Sequence, residues 1–196
     1  MLISRPGECR EVEPDDIDEE YIRSARMLHV GFVNEGIRKA ADIIHTAEGK
    51  VSVDAAYYKP YVYDNYDIFD IFIGSEYYFN GLLEELGIDT SKPLSDKEKF
   101  EVMRYVQSKG PEIVIFTFGA DGCMGIYGDN TFSLPAMDVP IVDTTGAGDV
   151  FHGAFAYALT QGYDYGKCCV FSSAVSALKC TKVGARMGVP DLKRTM

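Results

Sequence analysis

Asp143-Thr144-Thr145-Gly146-Ala147-Gly148-Asp149-Val150-Phe151-His152-Gly153-Ala154-Phe155 is the stretch whose reading decides the fold. An extended arm, Val139-Pro140-Ile141-Val142, leads into it. Behind it Phe151, Ala154, Phe155, Ala158 and Leu159 recur at three- and four-residue spacing, which predicts a helix with one apolar face. The glycines therefore sit where a loop turns into a helix N-terminus. The first amides of a helix have no partner within it, and the helix dipole adds partial positive charge, so an anion is stabilised there. Gly146 and Gly148 lack Cβ and let a phosphate approach the backbone. Asp149 opens the helix beside that anion site. A carboxylate next to a bound phosphate opposes binding, but it suits a base that takes the proton from a hydroxyl attacking phosphorus. The plainer alternative is a tight turn with an ordinary capping aspartate.

Working outward, 196 residues suffice for one domain with a real core, and the expectation is a single α/β domain over 1–196. A hydrophobic share of 46% and a charged share of 25% are ordinary for a soluble globular chain. A net charge of −11 disfavours a general binder of nucleic acid or anionic membrane, because both need a basic surface. Cys9, Cys123, Cys168, Cys169 and Cys180 show neither a disulfide framework nor zinc spacing, so they read as reduced, buried thiols of a cytoplasmic protein. His29, His45 and His152 share no metal-ligand spacing with a carboxylate, which argues against a zinc enzyme. No apolar run approaches membrane-spanning length, and no signal peptide opens the chain.

In chain order, Glu11–Glu13 suggests an edge strand, and the acidic run from Asp15 to Glu20 starts a helix over 17–26. Strands follow at 27–32 and 51–54, separated by a helix that carries Ile37, Ala40, Ala41 and Ile44 and ends at Gly49. Residues 55–66 hold Tyr57, Tyr58, Tyr61, Tyr63 and Tyr66 in a loop-like setting. They read as packing and surface tyrosines, or as a partner surface such as a homodimer would use. A strand over 68–73 leads into a helix opened by Gly74-Ser75-Glu76. Ser95-Asp-Lys-Glu98 is a capping box for a helix that Gly110 stops. Ile113–Phe118 is a continuously apolar strand of the kind a parallel sheet buries on both faces. Thr117-Phe118-Gly119-Ala120-Asp121-Gly122 turns at its end, and 123–127 with 131–134 forms a hairpin through Gly128-Asp129-Asn130. A last helix, 165–181, is rich in small residues, which permits close packing. Strands alternating with helices predict a mostly parallel sheet with helices on both faces. The loops at 54, 74–76, 117–122 and 143–149 all follow strand ends on one edge, where open α/β sheets bind ligands. A dinucleotide-binding reading is disfavoured, since no Gly-x-Gly-x-x-Gly follows the first strand.

The run Asp-Thr-Thr-Gly-Ala-Gly-Asp, followed by an aromatic and small residues, resembles the second signature of the ribokinase (PfkB) family of carbohydrate kinases. The resemblance implies a ribokinase-like fold and ATP-dependent phosphorylation of a sugar or nucleoside hydroxyl. It makes Asp149 the catalytic base and the amides of Gly146, Ala147, Gly148 and Asp149 the anion hole. It implies that Asp143 and Thr145 help to hold a monovalent cation such as K+, with carbonyls near Gly184-Ala185 completing the site. Thr117, Gly119 and Gly122 match the family's Thr-x-Gly-x-x-Gly at the ATP phosphate and ribose edge, and Ser173 lies on the helix along which the family places adenine. Glu76 corresponds to the Glu of a family Asn-x-x-Glu, near Mg2+ and the phosphates, although Ile73 replaces the Asn. Asp54 falls where the family keeps an aspartate near the phosphate and Mg2+ region. The resemblance covers the later part of the family fold. A glycine-rich substrate motif, much of the sugar pocket and a β-sheet lid are not matched, so the chain is expected to be a truncated or naturally shortened relative. A catalytically incomplete nucleotide-binding or assembly module is the alternative function.

Overall fold

The computed structural model describes residues 10–191. Six strands form one sheet: β1 (Met27–Val30), β2 (Lys50–Ala55), β3 (Ile71–Ser75), β4 (Ile113–Thr117), β5 (Cys123–Tyr127) and β6 (Asn130–Leu134). Their spatial order is their chain order. The pairs from β1 to β4 are parallel, and the β5–β6 hairpin is added antiparallel on β4. The helices are α1 (Glu19–Ser24), α2 (Glu35–Thr46), α3 (Pro60–Tyr63), α4 (Glu76–Glu85), α5 (Asp96–Gln107), α6 (Ala147–Thr160) and α7 (Tyr165–Cys180). The predicted capping box holds: Ser95 accepts from the Glu98 amide, and Glu98 accepts from the Ser95 amide.

A sheet whose strands run in simple order, each crossover being right-handed, must receive all of its crossover helices on the same side. The two cores reflect this. On one face Val51, Val53, Phe72, Val114 and Phe116 pack with residues of α2, α4 and α5, such as Ile44, Leu82 and Val106. The opposite face, Ile71, Ile73, Ile113, Ile115 and Cys123, is covered by the late helices, through Phe151, Phe155 and Ala158 of α6 and Cys168 and Cys169 of α7. Helices on both faces are thus found as expected, but among the described residues the helices of the second layer come from the chain beyond the hairpin. Period-2 alternation in β3 and β4 sends Ile71, Ile73, Ile113 and Ile115 to one core and Phe72, Val114 and Phe116 to the other.

Three local expectations need correction. Glu11–Glu13 forms no strand; the Val12 carbonyl instead accepts from Asn34 Nδ2 at 2.9 Å, and Pro14–Asp16 makes a 3-10 turn against the start of α2. Pro14, which has no amide to give a ladder, favours that turn. The strand expected from Ile68 begins at Ile71, because Tyr66–Ile68 is a 3-10 turn. The tyrosine segment is not all loop, since Pro60–Tyr63 makes a helical turn, but its tyrosines divide into packing and surface ones as read: Tyr66 is buried and shares a 2.8 Å hydroxyl contact with Tyr78, while Tyr63 and Tyr105 meet at 2.7 Å. Tyr57 and Tyr61 stay exposed. Cys123, Cys168, Cys169 and Cys180 are buried free thiols, as read; Cys9 lies outside the described residues. No helix among the described residues is long and apolar enough to cross a membrane.

Candidate active site

The α6 N-terminus has the geometry its sequence requires. Gly146 is the N-cap at φ +76°, a left-handed conformation that glycine adopts without steric cost. A Cβ there would lie 3.1 Å from Ala185 Cβ, so the loop also closes tightly on the chain's last turn. The Ala147 amide donates to the Thr144 carbonyl at 3.0 Å, which leaves the amides of Gly148 and Asp149 in the first turn to meet an anion. A Cβ on Gly148 would meet nothing within 4 Å, so that backbone faces open space. Asp149 is exposed in the same turn.

Asp143 ties this loop to the end of α7. Its Oδ1 accepts from the Thr145 amide at 2.9 Å and its Oδ2 from the Gly184 amide at 2.7 Å. Its carbonyl accepts from Lys179 Nζ at 2.7 Å. The amides of Val142 and Asp143 both donate to the Cys180 carbonyl, and Ser176 Oγ donates to the Ala147 carbonyl at 2.9 Å. The Thr145 amide, then the Gly184 amide, hold the Asp143 carboxyl down at about 2, below its ordinary 3.8. A depressed carboxyl contributes stability that is present above its ordinary value and lost as pH falls through the folded one. The melting-temperature deficit of Asp143→Asn should therefore be full above pH 3.8 and shrink as pH falls towards about 2. Calorimetry across that window checks this; a deficit independent of pH would contradict it.

The structure also brings together residues that the sequence did not link. His152, one turn after Asp149 on α6, is 8% exposed and places Nε2 3.2 Å from Asp54 Oδ1 on β2. His29 on β1 sets its ring centroid 5.2 Å from that of His152, with the planes tilted by 42°, and its Nδ1 3.4 Å from Ser52 Oγ. His152 Nδ1 is buried with no partner among the described residues. An unmet buried N–H is costlier than an unmet lone pair, so the proton belongs on Nε2, facing Asp54. Burial pushes the Asp54 carboxyl up, but the combined pull of His152 and His29 outweighs it and leaves the group below its ordinary range. Burial, then His152, lowers His29, while Asp54 and Asp149 pull it up. Two signals pointed here: the three-residue step from Asp149 to His152, and the period-2 series Ser52–Asp54, which shares a sheet face with His29.

The remaining candidates share the sheet edge without joining this cluster. Ser75 pairs with Thr117 in register, so Glu76 and the 117–122 turn both follow the same ends of β3 and β4. Thr117 Oγ1 donates to the Gly74 carbonyl at 3.4 Å, and Ser173 Oγ lies 3.8 Å from Cys123 Sγ. Gly119 is at φ +57° with open space around it, whereas a Cβ on Gly122 would strike the Leu134 carbonyl at 2.0 Å. Glu76 is exposed at the first position of α4. Among the described residues no hydrogen bond links Glu76 or the 117–122 turn to Asp149, and no three His, Cys, Asp or Glu are grouped to hold a metal. A surface cleft of about 640 Å³ between Tyr57–Lys59 and the α4 residues Tyr77, Gly81 and Glu84 includes neither loop.

A 5-dehydro-2-deoxygluconokinase of Shouchella clausii is 28% identical over 193 residues, covering 92% of this chain and 58% of that protein. A Thermotoga maritima ribokinase superposes with a TM-score of 0.80 at 24% identity, over 94% of this chain and 60% of the other. An Arabidopsis thaliana ribokinase complexed with ribose and ATP superposes with a TM-score of 0.78 at 24% identity, over 90% of this chain and 56% of the other. The chain thus spans little more than half the length of these relatives. The family model of the pfkB carbohydrate kinases matches residues 6–192, almost the whole chain, around the same glycine-opened helix. The chain belongs to the pfkB family of carbohydrate kinases.

Proposed function

We propose that this chain carries the ATP-binding and catalytic half of a kinase that phosphorylates a hydroxyl of a sugar or nucleoside. The observation that carries this reading is an exposed carboxylate, Asp149, in the first turn of a helix whose N-cap is Gly146 and whose second residue, Gly148, faces open space that a phosphate can fill. In-line phosphoryl transfer needs positioning and charge stabilisation more than covalent help. The amides of Gly148 and Asp149 would bind the oxygens of the transferred phosphoryl, and Asp149 would take the proton of the acceptor hydroxyl. The turn Thr117–Gly122 and the α7 face with Ser173 would hold the rest of the nucleotide. Mg2+ is ordinarily held by substrate phosphates with only one or two carboxylates, a demand that Glu76 or Asp54 at the same edge can meet without a three-ligand cluster. When bound, the ion would neutralise charge between the β- and γ-phosphates. The names of the relatives, a gluconate-type kinase and ribokinases, support a polyhydroxylated acceptor.

Gly148→Ala tests the cradle. Alanine in the first helical turn should leave stability unchanged or raise it by up to about 1 kcal/mol. Its Cβ would stand in the anion's space, so affinity for ATP with Mg2+ should fall about tenfold or more by titration calorimetry. Unchanged affinity removes the cradle from the site. Turnover assayed over a panel of sugars and nucleosides then separates the two functional classes. ATP binding without transfer to any acceptor would favour a nucleotide-binding module.

A further inference from the structure

Lys179 is the one lysine buried completely among the described residues, at 0% exposure. It stands in the last turn of α7, where carbonyls without helical partners concentrate negative potential and favour a cation. Its Nζ donates to the Asp143 carbonyl at 2.7 Å, at the root of the phosphate loop. The Asp143 carboxylate adds a charge of opposite sign nearby, and Lys179 contributes to holding that carboxyl ionised. The turn beyond α7 closes over this end: a Cβ on Gly188 would lie 2.1 Å from the Lys179 carbonyl. A buried ammonium is costly unless it meets an acceptor and a field of opposite sign; here it meets the Asp143 carbonyl and the C-terminal end of α7, with the Asp143 carboxylate on the same residue.

The resemblance to the family assigns a monovalent metal ion to Asp143, Thr145 and the carbonyls near Gly184. The residues present do not fit one. The Asp143 carbonyl already holds an ammonium where a metal ion would sit, and each carboxylate oxygen has one of its lone pairs taken by an amide, from Thr145 and Gly184, which reduces what is left to ligate a metal. A second cation placed there would also meet the repulsion of a like charge in a poorly screened position. We infer that the side-chain ammonium of Lys179 is the resident cation of the phosphate loop, in place of a monovalent metal ion. It braces the 143–146 turn from beneath, through Asp143, and so keeps the loop in its anion-binding shape without K+. This deepens the kinase reading, on which its catalytic consequence rests; the cation assignment itself is tested without nucleotide.

The experiment compares the chain and Lys179→Met in KCl, NaCl and choline chloride at equal ionic strength. The unaltered chain should melt within about 1 °C in all three salts. Crystals soaked in thallium(I) acetate, an anomalous K+ mimic, should show no thallium at Asp143. Lys179→Met should melt several degrees lower in choline chloride, regain stability in KCl alone, and accept thallium at the vacated position. Lys179→Arg, which keeps the charge, should remain insensitive to K+. Thallium at Asp143 in the unaltered chain, or its selective stabilisation by K+, overturns the assignment. A Lys179→Met variant that folds and melts like the parent in choline chloride overturns it as well. Should that variant not fold, the unaltered chain and Lys179→Arg decide. If the chain bound no ATP in any salt, the kinase reading would fail while these cation results stood. Where ATP binds, Lys179→Met in choline chloride should lose about tenfold in affinity and recover it in KCl.

Discussion

Asp149→Asn should lower turnover of sugar or nucleoside phosphorylation about 10³-fold, within the range that removal of a positioned general base produces. Affinity for ATP should change by less than about threefold, because the backbone amides of the cradle remain. It should rise slightly if it changes at all, since the substitution removes a negative charge beside the phosphates. Asp149 is the third residue of α6 and makes no cap hydrogen bond, so Asn, of the same size, forgoes only a charge–dipole contribution of about 0.3–1 kcal/mol, and the melting temperature should fall by no more than a few degrees. The separation matters because His152 stands one turn away, 3.2 Å from Asp54. If the base were that pair instead, Asp149→Asn would leave most of the turnover and His152→Asn would abolish it. Full turnover in Asp149→Asn removes the residue from the mechanism.

Gly122→Ala should be the most destabilising single methyl added near the candidate nucleotide edge. Gly122 sits at φ +88° and ψ −138°, a conformation open essentially to glycine alone. An added Cβ would lie 2.0 Å from the Leu134 carbonyl and 2.7 Å from the Ala136 nitrogen, both backbone atoms that cannot swing aside. Backbone strain and overpacking together should cost about 3 kcal/mol or more, and lower the melting temperature by roughly 6–12 °C. Gly119→Ala, at φ +57° but with nothing within 4 Å, should cost only about 1–2 kcal/mol. Thermal melts of the pair distinguish a glycine kept for packing from one with room for a ligand. Equal melting temperatures would show that the hairpin does not press on this turn.

Much of the fold could be read from local pattern. The capping box at Ser95, the apolar run Ile113–Phe118 and the Gly128 hairpin turn each express a constraint contained in a few adjacent residues. The Pro14 turn and the late start of β3 were missed because short segments can pair or turn with nearly equal ease until a neighbour chooses. Here the neighbours are Asn34, which takes the Val12 carbonyl, and Tyr78, which holds Tyr66. At the candidate site, the helix start with Gly146, Gly148 and Asp149 in its first turn was legible because a glycine-opened helix N-terminus is a local device. Asp54 could be named but not explained, since its partner His152 is separated from it by half the chain.

Sequence alone determined the alternation of strands and helices, the glycine-opened helix and its acid, because 3.6- and 2-residue periods and a left-handed N-cap depend only on near neighbours. Tertiary structure alone decided that α6 and α7 cover the face left bare by every crossover helix, that His152 meets Asp54, and that Lys179 lies under Asp143. Those outcomes depend on strand order and crossover handedness acting over the whole chain. They bring residues dozens of positions apart within hydrogen-bond reach, and no spacing along the sequence records them.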